Sequence, residues 1–251
     1  PSLVEPDTIV GTIANYFVER YGFNPKCKIT AGSGDNPQTK VLVKGDLLSL
    51  GTSFVNMVST DGKTYDMEGL ANAMYDGIGR PFMFGCRTNG TNVWDQLREL
   101  SGLKKDEYGK AEEALRKANI AAYMVFWQPK NESFPPSGSF SFTRWTHSEP
   151  DLGRDYTGII ETSLAAVYIH SMGFTKSPYG EPAEPLYVTG GAANSPEIMR
   201  RVAAIWKRPV ITIEEGGAAL GAAVAGACAY CKSSEEQFDV EAGYGKCPKG
   251  I

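Results

Sequence analysis

The sequence predicts an α/β fold, and three observations carry that reading. Short strand-like runs joined by Gly-rich turns come early, at residues 46–67 and 80–86. Helix-like runs with apolar residues three and four apart follow them. The stretch 185–231 then alternates strand, glycine turn, helix, strand and a helix that starts on glycine, the order of a sheet covered by helices.

Taken in order, "DTIVGTIANYFVERY" (7–21) spaces Ile9, Ile13, Phe17 and Tyr21 four apart, which predicts one amphipathic helix capped by Asp7. "CKITA" (27–31) reads as a short strand. "GDLLSLGTSFVNMVST" is two strands around a Gly-Thr-Ser turn, followed by an Asp-Gly turn at 61–62. "RPFMFGC" (80–86) is another strand, and "TNGTNVWDQLREL" enters a helix with Thr91 or Asn92 as its cap. Residues 105–119 form a solvent-facing helix whose Ala111, Leu115 and Ala118 point one way. The Pro-, Gly- and Ser-rich stretch 128–155 reads as loop with a short strand inside, and 155–172 as a helix.

With 251 residues, 42% of them hydrophobic and 22% charged, the chain has enough apolar material for a globular core. A formal charge of −4 and the lack of any basic run interleaved with aromatics give no reason to expect nucleic acid. "AALGAAVAGACAYC" (218–231) is too short and too rich in Ala and Gly to span a bilayer, so no membrane partner is expected. With no secretory leader visible, the cytosol is the default compartment. Pro1, with no Met before it, reads as a cut edge. Five cysteines, an odd number, include the single CxxC of Cys228 and Cys231. Without a second CxxC or a nearby histidine they read as reduced structural thiols, and His147 and His170 are too far apart in sequence to suggest a metal site.

Three junctions share a pattern: "SLGTS" (49–53), "CRTNGTN" (86–92) and "VTGGAANS" (188–195). Glycine at such places lets the main chain approach a ligand, and N–H groups at a helix start favour anions. Each alone is equally a turn or a relief of crowding. None has the spacing of a P-loop or a complete GxGxxG. Upstream, Asp35 stands in the pliable loop "TAGSGDNPQT" (30–39), where Asp-Asn-Pro is also ordinary turn chemistry, with Pro37 near a helix start and Asn36 as its cap.

Taken together, "GDN", "GDLLSLGTS", "NG", "YVTGGAANSPEIMRRVAAIWKRPV" and "EEGGAALGAAVAGA" resemble the carbohydrate kinases of the FGGY family, and within it the xylulokinases, over residues 7 to about 231. The resemblance implies the actin-like, ribonuclease-H-like ATPase (ASKHA) fold. It gives residues 1–43 as the tail of a sugar-binding first lobe, 44–235 as an ATP-binding lobe and 236–251 as a tail. It implies Asp35 as the catalytic base and Asn36 as its sugar-binding neighbour. It assigns Gly51 and Thr52 to a phosphate loop, Gly90 to a place near the phosphates, and Gly190, Gly191 and Asn194 to the α-phosphate and adenosine. Gly217 and Ala218 would flank the adenine. The implied substrates are a ketopentose, D-xylulose first, and ATP with Mg²⁺.

The family's first half is absent from this sequence. The missing lobe, from the same gene or another chain, is therefore an expected partner, and the fragment alone is expected to be inactive. A homodimer is left open. Two alternatives stand beside this reading: a kinase of the family for ribulose, glycerol or another polyol, and a non-catalytic actin-like nucleotide-binding module. Trp94, Trp127, Trp145 and Trp206 read as packing residues, and Asp95, Arg98 and Glu99 as a solvated helix face. Glu161 is given no role.

Overall fold

A computed structural model describes residues 2–63, 71–139, 151–175, 185–213 and 217–234. Trp145, His147, Cys247 and the expected tail 236–251 lie outside the described residues. In chain order the elements are β1 (Ile9–Thr12), α1 (Asn15–Tyr21), β2 (Lys28–Thr30), α2 (Asp35–Val41), β3 (Leu47–Leu50), β4 (Phe54–Ser59), β5 (Asn72–Tyr75) and β6 (Pro81–Arg87). There follow α3 (Thr91–Leu100), α4 (Tyr108–Ala118), the two-residue strands β7 (Glu132–Ser133) and β8 (Pro136–Ser137), a π-helical turn (Leu152–Tyr156) and α5 (Thr157–Thr175). The described chain closes with β9 (Leu186–Thr189), a 3₁₀ turn (Gly191–Asn194), α6 (Pro196–Trp206), β10 (Val210–Thr212) and α7 (Gly217–Ser233).

The chain divides into two compact units: residues 1–44, 74–82 and 216–251 form the first, and 45–73 with 83–215 form the second. Residues 74–82 and the α7 segment belong with the first unit, not with the stretch 45–73.

The second unit is built on a sheet of order β10-β9-β3-β4-β6-β5, with the unit division running through β5 and β6. β3 pairs antiparallel with β4 across the hairpin and parallel with β9, which in turn runs parallel to β10. Leu47, Leu48, Leu50, Phe54 and Met57 are fully buried, as expected for strands covered on both faces. Trp94, Leu97, Leu115, Ile160 and Val202 pack from the helices onto this sheet. A buried ion pair fixes the start of β3: Asp46 meets Arg208 at 2.7 Å and accepts from the Ser59 N–H at 3.0 Å, while the Asp46 carbonyl takes the Tyr187 N–H.

In the first unit the predicted helix over 7–21 is not formed as one piece. Ile9–Thr12 is a strand paired antiparallel with β2, and only Asn15–Tyr21 is helical. The β-branched run Thr8-Ile9-Val10 and the helix-weakening Gly11 favour extended chain, and residues 28–30 supply the partner. Asp7 caps no helix; it pairs with Lys232 at 3.1 Å. Phe17 stacks on Tyr21 and Tyr16 meets both edge to face beside Arg20, yet Phe17 and Tyr21 stay 44% and 59% exposed.

Helix α2 is gripped from two sides within this unit. Arg80, paired with the fully buried Asp76 at 2.6 Å, donates to the Lys40 and Val41 carbonyls at the C-terminal end of α2. On the other side α7 lays its small residues against α2. A Cβ on Gly221 would stand 1.8 Å from the Gln38 carbonyl oxygen, and one on Gly217 would stand 2.8 Å from Thr39 Cγ2.

Two glycines in one helix test this packing. Gly221→Ala is expected to destabilise the first unit by about 3 kcal/mol or more, because backbone must move. Gly226→Ala, with nothing within 4 Å, is expected to stabilise by roughly 0.5–1 kcal/mol. Urea unfolding of both variants, with hydrogen exchange on α2, reads the difference.

Candidate functional site

The three glycine junctions meet in the second unit. Parallel pairing sets Ser49 opposite Thr189, so the chain leaving β9 passes beside the end of β3. Gly190, at φ +96°, sits so close that a Cβ would fall 2.6 Å from the Leu50 carbonyl oxygen. Gly90 lies against the hairpin tip on its other flank, where a Cβ would meet the Thr52 and Gly51 carbonyls at 2.6 and 2.8 Å. Hydrogen bonds tie the same pieces: Gly90 N–H donates to Thr52 O at 3.2 Å and Thr91 N–H to Gly51 O at 3.0 Å.

These bonds decide which donors stay available. Gly51 N–H is committed to Ser53 O, and Gly90 N–H also donates to Asn92 Oδ1. Thr52, exposed at the tip, donates to no other described residue, so its N–H and hydroxyl are the hairpin's open donors. The N-cap of α3 is Gly90, one residue before the expected Thr91 or Asn92, because only a residue without Cβ fits against the tip. The start of α6 is likewise closed to a ligand. Ser195 Oγ accepts from Ile198 N–H, and Glu112 accepts from Glu197 N–H at 2.7 Å and from the Ser195 hydroxyl.

Next to the bends lies a cavity of about 580 Å³. Thr91, Trp94 and Asp95 of α3 line one wall, Tyr108 and Glu112 of α4 another, and Gly191 and Asn194 the rim by the 3₁₀ turn. Its size suits a nucleoside-sized ligand, with apolar walls and a few polar groups to orient it. Tyr156, which also lines it, has its phenol pushed up to about 12 by burial and stays protonated.

Arg98 organises two of these walls. It is fully buried, not part of a solvated face. It pairs with Asp95 at 3.1 Å, donates to Lys105 O at 3.0 Å and lies over the Tyr108 ring at 4.1 Å. Burial raises the Asp95 carboxyl above its ordinary range, with Arg98 opposing that rise. Its charge hid this, although Arg98 follows Trp94 by four residues and so shares the buried face of α3. Glu161 bridges Arg201 at 2.9 Å and the Ala121 N–H at 3.0 Å, joining α5 to α6 and to the chain after α4. Trp94 and Trp206 are core residues, the first donating its indole N–H to Ser163 Oγ, and Trp127 packs on the same core. Cys27, Cys86 and Cys228 are free thiols, and burial pushes Cys86 and Cys228 up, away from reactivity.

Asp35 belongs to the first unit. It is the first residue of α2, exposed, with no ion-pair partner among the described residues, and Asn36 N–H donates to its Oδ1 at 2.8 Å. The cap of α2 is Gly34, not Asn36, and Pro37 sits in the first turn. Gly217 lies against α2 in the first unit.

Residues 47–230 match the model of the FGGY family of carbohydrate kinases, C-terminal domain. The chain belongs to that family. Its fold is the actin-like ATPase fold of these kinases, with a mixed parallel and antiparallel sheet. Among curated FGGY relatives, a xylulose kinase of Mus musculus is 26% identical over 82% of this chain and 38% of its own length. The D-xylulose kinase A of Aspergillus niger is 27% identical over 92% of this chain and 46% of its own. Among solved structures, the xylulose kinase of Rhodospirillum rubrum superposes with a TM-score of 0.77 at 16% identity, covering 96% of this chain and 50% of that one. The Plasmodium falciparum glycerol kinase with ADP gives 0.69 at 14%, over 95% and 48%. The chain thus spans about half the length, or less, of the relatives it matches. Among the described residues no helix is long and apolar enough to cross a membrane.

The seating of the bends can be tested at neighbouring glycines. Gly190→Ala is expected to cost about 2–3 kcal/mol, from a strained φ plus the contact with Leu50. Gly191→Ala, open on the side where its Cβ would point, is expected to stay within roughly 0.5 kcal/mol of the parent. Chemical denaturation of the second unit, followed by Trp94 fluorescence, compares them.

Proposed function

We propose that this chain is the nucleotide-binding part, with the catalytic base, of an ATP-dependent ketopentose kinase that converts D-xylulose to D-xylulose 5-phosphate. The observation that carries it is the convergence of the 50–53 hairpin, Gly90 and Gly190 beside a nucleoside-sized cavity. In this reading the adenosine occupies the cavity, with Gly191 and Asn194 at its edge, and the phosphates run toward Thr52. The sugar preference follows the curated relatives, which carry the names xylulose kinase or D-xylulose kinase A.

Phosphoryl transfer to a hydroxyl depends on positioning and charge neutralisation more than on covalent chemistry. Asp35 has the features the proton acceptor needs. One carboxylate oxygen is held by the Asn36 N–H, and among the described residues the other has no hydrogen-bond partner and the carboxylate no ion-pair partner. As the sugar hydroxyl oxygen bonds to the γ-phosphorus and the bond to ADP breaks, its proton passes to Asp35. In this reading Asn36, the next residue, holds a neighbouring sugar hydroxyl. Magnesium enters as MgATP, carried by the substrate's own phosphates; among the described residues no three His, Cys, Asp or Glu side chains gather to hold a metal. The remaining sugar contacts are assigned to a further lobe, which the relatives' greater length accommodates.

In the complete kinase, Asp35→Asn is expected to lower kcat by about 10²–10⁴-fold while leaving ADP affinity within twofold. Coupled ADP-release kinetics on a panel of xylulose, ribulose, gluconate and glycerol, with calorimetry for ADP, checks both parts. Full turnover by the Asn variant would remove Asp35 from the chemistry, and a different preferred sugar would replace xylulose.

A further inference from the structure

A second cavity, of about 190 Å³, lies behind Trp94 in the same unit and has no part in the reading above. Trp94 is the wall the two cavities share. The lining is largely apolar, from Val93, Trp94, Val125, Trp127, Pro135 and Ile159, but two cationic or basic groups, Arg87 and His170, also face it.

Arg87 is unusual in lacking acceptors. Its side chain is only 12% exposed, and among the described residues it makes no hydrogen bond, its buried Nε included. Its nearest carboxylate, Glu132, is 3.9 Å away, beyond hydrogen-bond distance. Nor can Glu132 easily turn toward it. The two Glu132 oxygens already accept from Thr88 N–H, Asn89 N–H, Asn89 Nδ2 and Ser133 N–H, and those dipoles offset much of its charge. Burial accordingly pulls the Arg87 guanidinium below its ordinary value, with Glu132 only partly restoring it. His170 Nδ1 is also buried without a partner. Burial first, and the Arg87 charge second, hold the His170 ring below its ordinary 6.5, so it is neutral at pH 7. Buried polar atoms without hydrogen-bond partners are rare in folded proteins and call for an explanation.

We propose that this second cavity binds a small carboxylate with an apolar body, its oxygens accepting from the Arg87 guanidinium and the His170 ring and its body lying on the indoles of Trp94 and Trp127. A planar guanidinium matches a carboxylate in two-point geometry. One cation with a carboxylate behind it suits a monoanion and not a phosphate dianion, and the apolar walls suit a hydrocarbon body. Because Trp94 also lines the larger cavity, an occupant here touches the wall of the proposed nucleotide site without entering it.

The probe is benzoate, titrated into the full chain and followed by the NMR signals of the His170 ring and by tryptophan fluorescence. The expected result is a saturable His170 shift, at least tenfold weaker in Arg87→Gln, absent in Ala166→Leu, and little affected by saturating ADP. Ala166 lines the cavity, and its Leu variant fills the space with Arg87 kept in place, so it decides the matter where Arg87→Gln fails to fold. The proposal is overturned by an unresponsive His170, by equal affinity in the filled variant, or by inorganic phosphate binding as tightly as benzoate. Displacement by ADP would also overturn it, placing the benzoate in the larger cavity. Failure of any of these leaves the kinase reading standing, since that rests on Asp35 and the larger cavity.

Discussion

The missing Cβ atoms of Gly90 and Gly190 are the constraint on which the second unit depends. Both glycines press against the 50–53 hairpin at distances no side chain tolerates, one on Thr52 and Gly51, the other on Leu50. Parallel pairing of β3 with β9 brings Gly190 there, and the Gly90 N–H donating to Thr52 O holds the start of α3. With the backbones locked together, Thr52 is left as the exposed tip and the cavity opens beside it. A larger residue at either glycine would separate the elements that form the site.

Buried charge does the corresponding work for the helices. Arg98 fixes Asp95 and Tyr108, Arg201 meets Glu161 and Glu197, and Glu112 occupies the first turn of α6. Such groups are costly to remove from water, and what they return is geometry: each joins two elements whose spacing defines a cavity wall. Glu112 also explains why α6, for all its favourable dipole, is not where an anion would sit. Its N–H donors already have acceptors.

In the first unit, the turn at Asp76–Arg80 and the glycine face of α7 hold a two-turn helix too short to be stable alone. That support lets Asp35 stand at the helix start with no ion pair to any described residue. Rigid backing with an open carboxylate is what a proton acceptor requires.

Pattern alone determined much of this protein. The Leu-rich run 47–50 and the apolar run 54–58 had to be covered strands, the 3.6-residue spacing set α3, α4 and α6, and the glycine junctions marked the bends in their right order. These are local properties, carried by neighbours in sequence. Tertiary structure decided the rest. Residues 9–12 became a strand because residues 28–30 offered a partner to a β-branched run, although the four-residue apolar spacing of 9–21 reads as helix. Arg98 changed from a surface charge to a buried brace because its acceptors, Lys105 O and Asp95, and the Tyr108 ring surround it in space. Gly217 and Gly221 acquired their meaning from α2, some 180 residues away in sequence. Close approach and desolvation are relations between distant segments, and no single stretch of chain contains them.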